Sequence, residues 1–124
     1  MAVKVVDASA LAALLFGEPE GEAIAAKLGG ARLAAPVLLG FEVGNVCLIK
    51  TRRHPKRAQA LTAAFKLRHR LGVEEMAIDH DQVISLAAQT GLTGYDASYL
   101  WLARQLGAEL VTLDRQLERA AAAS

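Results

Sequence analysis

Apolar positions along this chain come in short blocks that change period. Residues 2–6 (AVKVV) form a brief, continuous β-branched run, the pattern of a buried strand, and 31–36 (ARLAAP), 73–78 (VEEMAI) and 108–113 (AELVTL) read as further short strands. The segments between them read as helices. One covers 8–16 (ASALAALLF) and a second 19–30, stopped by Gly29-Gly30. A third runs from Pro36 to about Arg53, where His54-Pro55 interrupts it. The pattern predicts a fourth over 56–71, with Ala60, Ala64, Leu67 and Leu71 as its apolar stripe and Gly72 as its stop. Helices over 81–90 and 95–107 follow, and DRQLERAAAA closes the chain. This alternation predicts an α/β fold with a mainly parallel central sheet of about four or five short strands, flanked by helices. No Pro- or Ser-rich linker divides residues 1–124, so a single domain is expected. The triplet Asp-Ala-Ser occurs at 7–9 and again at 96–98, but the helices around the two copies differ, which argues against an internal repeat.

Composition narrows the class. With 124 residues and 53% apolar content the chain can bury a core without disulfides. The single cysteine, Cys47, falls in the apolar pattern of 37–49 and reads as a packing thiol in a reducing cytoplasm. Apolar runs break well short of the ~20 residues of a membrane span. An aspartate at position 7 after one lysine does not make a signal peptide. Net charge is only +1, yet residues 50–70 hold eight of the fourteen Lys and Arg and no acid. Taken alone, such a run is a solvated helix face or a phosphate-binding edge.

The acids carry the chemical signal. In a parallel sheet, ligands bind beyond the carboxyl ends of the strands. Asp7 ends the first expected strand and Asp114 follows the last, so both open on one edge if those strands are neighbours. Asp96 begins a helix, and Glu42 lies a turn or two inside the helix that starts near Pro36. Helix capping accounts for Asp7, Asp96 or Asp114 taken singly. It does not account for Glu42, set among Val37, Leu38, Leu39, Phe41, Val43, Val46 and Leu48, where an unpaired charge is costly. Converging carboxylates must take up protons or a cation, and an oxygen-only set favours Mg²⁺ or Mn²⁺ over zinc. No His/Cys cluster competes, and there is no G-x-S-x-G elbow, Walker loop or G-x-G-x-x-G.

Three stretches, VVDASALAALL, FEVGNVCL and GLTGYDASYLWLARQLGAELVTLDRQL, resemble in order and spacing the PIN-domain ribonucleases, most closely the VapC-type toxins of toxin–antitoxin pairs. The likeness covers the chain at the level of element order and is most specific in the last third. It implies that Asp7, Glu42, Asp96 and Asp114 are metal-binding acids for hydrolysis of an RNA phosphodiester by a metal-activated water, with Mg²⁺ or Mn²⁺ as cofactor. It also implies a homodimer and a cognate antitoxin whose tail fills the active-site groove. Ser9 and Thr112 match polar positions beside the acids, and Asn45 matches a frequent asparagine with an orienting role.

Beside this pattern the basic run changes meaning, because acids repel RNA unless cations flank them. Lys50, Arg52 and Arg53, two to three turns beyond Glu42, are the expected phosphate contacts, with Lys66, Arg68 and Arg70 undecided. Base stacking is limited to Tyr95 or Tyr99, and Trp101 reads as core or interface. Asp79 and Asp81 read as a helix cap. Gly40 and Gly44 around Glu42 suggest close helix approach, at a dimer contact or within one subunit. Two other readings stay open: a PIN-like RNA-processing nuclease, and a non-catalytic partner-binding domain whose acids only cap helices. A receiver-type phosphoacceptor wants an acid pair beside the first strand and a lysine ending a late one, and has neither.

Overall fold

A computed structural model describes residues 1–123. Four strands form one sheet: β1 (Val3–Val6), β2 (Arg32–Pro36), β3 (Glu74–Met76) and β4 (Glu109–Val111). Their order is β3-β2-β1-β4 and every pairing is parallel. Parallel neighbours need a crossover, and the helices supply it. They are α1 (Ala8–Leu15), α2 (Gly21–Leu28), α3 (Leu39–Arg53), α4 (Ala58–Lys66), α5 (His80–Thr90), α6 (Gly94–Leu106) and α7 (Arg115–Ala122). Each strand lies inside the block that the apolar pattern marked.

The core gathers on β1, whose Val5 and Val6 are fully buried, and on α6, which adds Ala97, Ser98, Tyr99, Leu100 and Leu102. Leu11, Ile24, Leu39, Val43 and Leu117 close over them from the remaining helices. Cys47 is buried, as its apolar setting implied. Trp101 packs against this core and donates its indole N–H to Gln82 at 2.8 Å, tying α6 to α5. Among the described residues no helix is long and apolar enough to cross a membrane.

The continuous helix expected over 56–71 does not form. A 3-10 turn at Pro55–Arg57 precedes α4, and a second covers Leu67–Leu71 before Gly72 turns the chain in the left-handed conformation. The stripe is also displaced. Ala60 and Leu67 face solvent, while Leu61 is buried, with Ala64 and Phe65 beside it. Two contacts explain the shift. The Phe65 ring lies 3.3 Å from where a Cβ on Gly44 would sit, so α3 and α4 approach closely only because Gly44 has no side chain. Arg68 then covers the Phe65 ring at 3.8 Å and donates to the Phe65 carbonyl, an alternative to continuing the helix. Gly40 meets the Glu75 side chain. Gly44 thus takes part in a close helix approach inside one subunit.

Candidate active site

Because β1 pairs with β4, in register from Lys4↔Glu109 to Val6↔Val111, the residues that leave the two strands emerge side by side. The Asp7 N–H still donates to the Val111 carbonyl. Asp7 is only 4% exposed, and three donors hold it. Oδ1 accepts the Ala10 N–H at 3.0 Å, capping α1, and the Ser9 hydroxyl at 2.8 Å. Oδ2 accepts the Thr112 hydroxyl at 2.6 Å. The Thr112 oxygen in turn accepts the Asp114 N–H at 2.9 Å, and Ser9 accepts the Leu113 N–H at 3.0 Å. Ser9 and Thr112 thus clamp the end of β4 against the end of β1. Asp114 caps α7 by accepting the Leu117 N–H at 2.9 Å.

Glu42 lies in the first turn of α3, half-buried, where Oε1 accepts the Tyr99 hydroxyl at 2.6 Å. Asp96 is different from the other aspartates. The cap of α6 is Thr93, whose hydroxyl accepts the Asp96 N–H at 3.1 Å, so the Asp96 carboxylate is not needed as a cap. The repeated Asp-Ala-Ser therefore plays two parts. In the first copy Asp7 caps and Ser9 braces; in the second Asp96 does not cap, and Ser98 turns inward to the Tyr95 carbonyl at 2.5 Å.

Electrostatics link the acids. Burial pushes the Asp7 carboxyl above its ordinary value; the Thr112, Ala10 and Ser9 donors oppose this, and Asp114 adds to it. Burial likewise raises Glu42 against the Tyr99 hydrogen bond, with Asp96 and Asp7 adding to the rise. Asp96 is raised by burial, then by Asp114 and Asp7, with Thr93 opposing. Burial, then Glu42, raises Tyr99, so its phenol stays a neutral donor. Three carboxylates from separate stretches of chain, Asp7, Glu42 and Asp96, are thus raised by burial and by neighbouring acids, Asp114 among them for Asp7 and Asp96. That is the arrangement a cation relieves.

As the side chains stand, no three His, Cys, Asp or Glu residues among those described are gathered closely enough to ligate one ion. The donor chemistry nevertheless fits Mg²⁺ or Mn²⁺. Mg²⁺ keeps several waters and needs one or two carboxylates, with the other acids bonded to those waters. A carboxylate offers about four lone pairs. Asp7 commits three of them to its donors, so it retains one, on Oδ2.

The other expected site residues divide. Asn45 is exposed and makes no hydrogen bond to the four acids. Lys50 is tied to Glu18 by an ion pair and sits 5.8 Å from the Phe16 ring centroid, which occupies it locally. Arg52 and Arg53 are exposed near the end of α3. Asp79 caps α5 by accepting the Gln82 N–H, as its position suggested. Tyr99 is 1% exposed and cannot stack on a base, whereas Tyr95 is 67% exposed. What sequence reasoning missed is the bond from Tyr99 to Glu42. Its available signal was the three-residue spacing from Asp96, which sets both side chains on one face of α6.

Comparison with known proteins places the chain in a family and agrees with its fold. The model of the PIN domain matches residues 4–123. Ribonuclease VapC3 of Pyrobaculum aerophilum is 35% identical over 118 residues, spanning 91% of this chain and 90% of that protein. Exonuclease VapC9 of the same organism is 51% identical over a stretch of 37 residues, 30% of this chain and 28% of its own length. The crystal structure of PAE2754 from Pyrobaculum aerophilum superposes with a TM-score of 0.78 at 32% identity, covering 96% of this chain and 84% of that one.

Proposed function

The chain belongs to the PIN-domain family, and on that footing we propose that it is a metal-dependent endoribonuclease, the toxin of a toxin–antitoxin pair. The observation that carries the reading is Asp96. It is a half-buried carboxylate left uncapping because Thr93 does that work, and Asp114 and Asp7 raise its proton affinity. An acid in the first turn of a helix also suits the helix dipole, so it is the half-burial of Asp96 and its coupling to Asp7 and Asp114 that favour the metal-site reading.

In this reading Asp7, Glu42, Asp96 and Asp114 hold Mg²⁺ or Mn²⁺, directly or through water. When bound, such an ion supplies positive charge for the phosphodiester and acidity for a water. The protein's own part is placement. Ser9 and Thr112 fix Asp7 against the end of β4, and Asp114 is fixed through α7. Arg52 and Arg53 take RNA phosphates on the flank, with Lys50 a lesser contact while Glu18 holds it. Water is the nucleophile. Asn45 orients groups at the rim.

The partners follow from the same reading: RNA as substrate, a cognate antitoxin as inhibitor, and a second copy of the chain. Exposed apolar residues favour the last. Phe41 is 86% exposed, Tyr95 67%, Ile84 60% and Val37 56%. Val37, Ile84 and Tyr95 line one open groove of about 450 Å³ together with Leu38, Ile78 and Val83. Contiguous apolar surface of this kind marks an interface, and we assign it to the homodimer.

The test is cleavage of end-labelled RNA by the purified, partner-free chain with Mg²⁺, with chelator, and with Asp96→Asn. Internal cuts that need the metal and vanish in the variant support the proposal. Cutting that persists in chelator refutes the metal dependence. Stepwise loss from one end would make the enzyme an exonuclease, as VapC9 is named.

A further inference from the structure

Glu42 poses a mechanical problem. It is a long, flexible side chain in the first turn of α3 and only half-buried. A ligand that must be held within about half an ångström of its working position needs a partner with fewer degrees of freedom. Tyr99 has only two side-chain torsions, its ring is locked in the core beside Leu100, and its hydroxyl reaches across from α6 to Glu42 Oε1 at 2.6 Å. Among the described residues this is the hydrogen bond that Glu42's carboxylate accepts.

We infer that Tyr99 is a positioning residue of the site: its buried phenol fixes Oε1 of Glu42 and thereby turns Oε2 toward the ion. The inference rests on the metal-site reading above. It gives the two more deeply set acids parallel supports, Ser9 and Thr112 for Asp7 and Tyr99 for Glu42. It also explains why Tyr99, three residues after Asp96, is a tyrosine when the other buried residues of α6 are Ala, Ser and Leu. A phenylalanine would fill the same volume. Only the hydroxyl has work to do at Glu42.

The experiment is Mn²⁺ titration calorimetry on metal-free wild type, Tyr99→Phe, Glu42→Gln and the double variant, with melting temperatures of all four. Loss of an outer-shell partner typically weakens metal binding 10–100-fold. Tyr99→Phe is expected to weaken Mn²⁺ binding about 10-fold, and to have less than about a 2-fold effect once Glu42 is already glutamine. A metal-free crystal structure of Tyr99→Phe should show the Glu42 carboxylate displaced. Unchanged Mn²⁺ affinity in Tyr99→Phe, an equal loss in the Glu42→Gln background, or an undisplaced carboxylate overturns the inference while leaving the metal site intact. Wild type that binds no Mn²⁺ overturns the metal site itself, and the inference with it.

Discussion

Replacing Thr112 by valine tests the hydroxyl clamp that joins β1 to β4. The side chain is buried, so the isosteric change leaves the packing volume in place and removes one oxygen. That oxygen donates to Asp7 Oδ2 at 2.6 Å and accepts the Asp114 N–H at 2.9 Å. A hydrogen bond to a charged group contributes about 1.5–3 kcal/mol and a neutral one about 1 kcal/mol. A buried methyl gained in exchange returns about 0.8 kcal/mol. The net cost is then about 2–3 kcal/mol, or a fall in Tm of roughly 6–12 °C for a domain of this size. The pH dependence has a definite sign. Burial already raises Asp7, and Thr112 opposes that rise, so in the variant Asp7 takes a proton more readily. The deficit should be full at neutral pH and shrink as pH falls through the raised value, where a protonated Asp7 no longer presents a buried charge. Urea unfolding in chelator at pH 7.5 and pH 5 measures this, with Thr112→Ser as the control that keeps the hydroxyl. A deficit under about 0.5 kcal/mol for Thr112→Val, or one equal to that of Thr112→Ser, would refute the clamp.

Asp7, Glu42 and Asp96 all have raised folded-state affinities for protons, so their contribution to stability is full below the ordinary carboxylate value and is lost as pH rises through the raised ones. In chelator, Asp96→Asn should therefore gain stability relative to wild type as pH rises across that window, and added Mg²⁺ should stabilise wild type more than the variant; differential scanning fluorimetry reads both. Arg52→Ala with Arg53→Ala should raise KM for RNA with kcat little changed and flatten the slope of log affinity against log salt by about 2, while Lys50→Ala should flatten it by less, as seen in cleavage assays across a salt series. Phe41→Glu should convert a dimer to a monomer in light scattering; an unchanged mass would remove that face from the interface.

β1 was legible because a buried parallel strand leaves a nearly unbroken apolar run, whereas β3, Glu74-Glu75-Met76, is an exposed edge strand marked only by the apolar residues around it. Helix periodicity served less well where the backbone broke step. α4 stops at Lys66 because Phe65 and Arg68 form a local contact whose partner, Gly44, is 21 residues away, and no window of sequence contains both. The same blindness hid the Lys50–Glu18 pair, which left Lys50 among the free phosphate contacts. The four acids stood out as residue types, but that Asp7 and Asp114 leave neighbouring strands needed the β1–β4 pairing, which the pattern leaves open. Thr93-Gly-Tyr-Asp96 has the spacing of a capping box, which would engage both side chains; the structure forms only the Thr93 half, in which the Thr93 hydroxyl accepts the Asp96 N–H. Tyr99 was read only as a stacking ring, and the contact of its hydroxyl with Glu42, 57 residues away, appears only in three dimensions.

The central claim is that these four carboxylates make one cation site. Crystals soaked in Mn²⁺ and measured for its anomalous scattering test it most directly. The account predicts a peak about 2.1 Å from a carboxylate oxygen of one or two of Asp7, Glu42, Asp96 and Asp114, with the others within reach of its waters. A peak elsewhere on the surface, or none at saturating Mn²⁺, would contradict it.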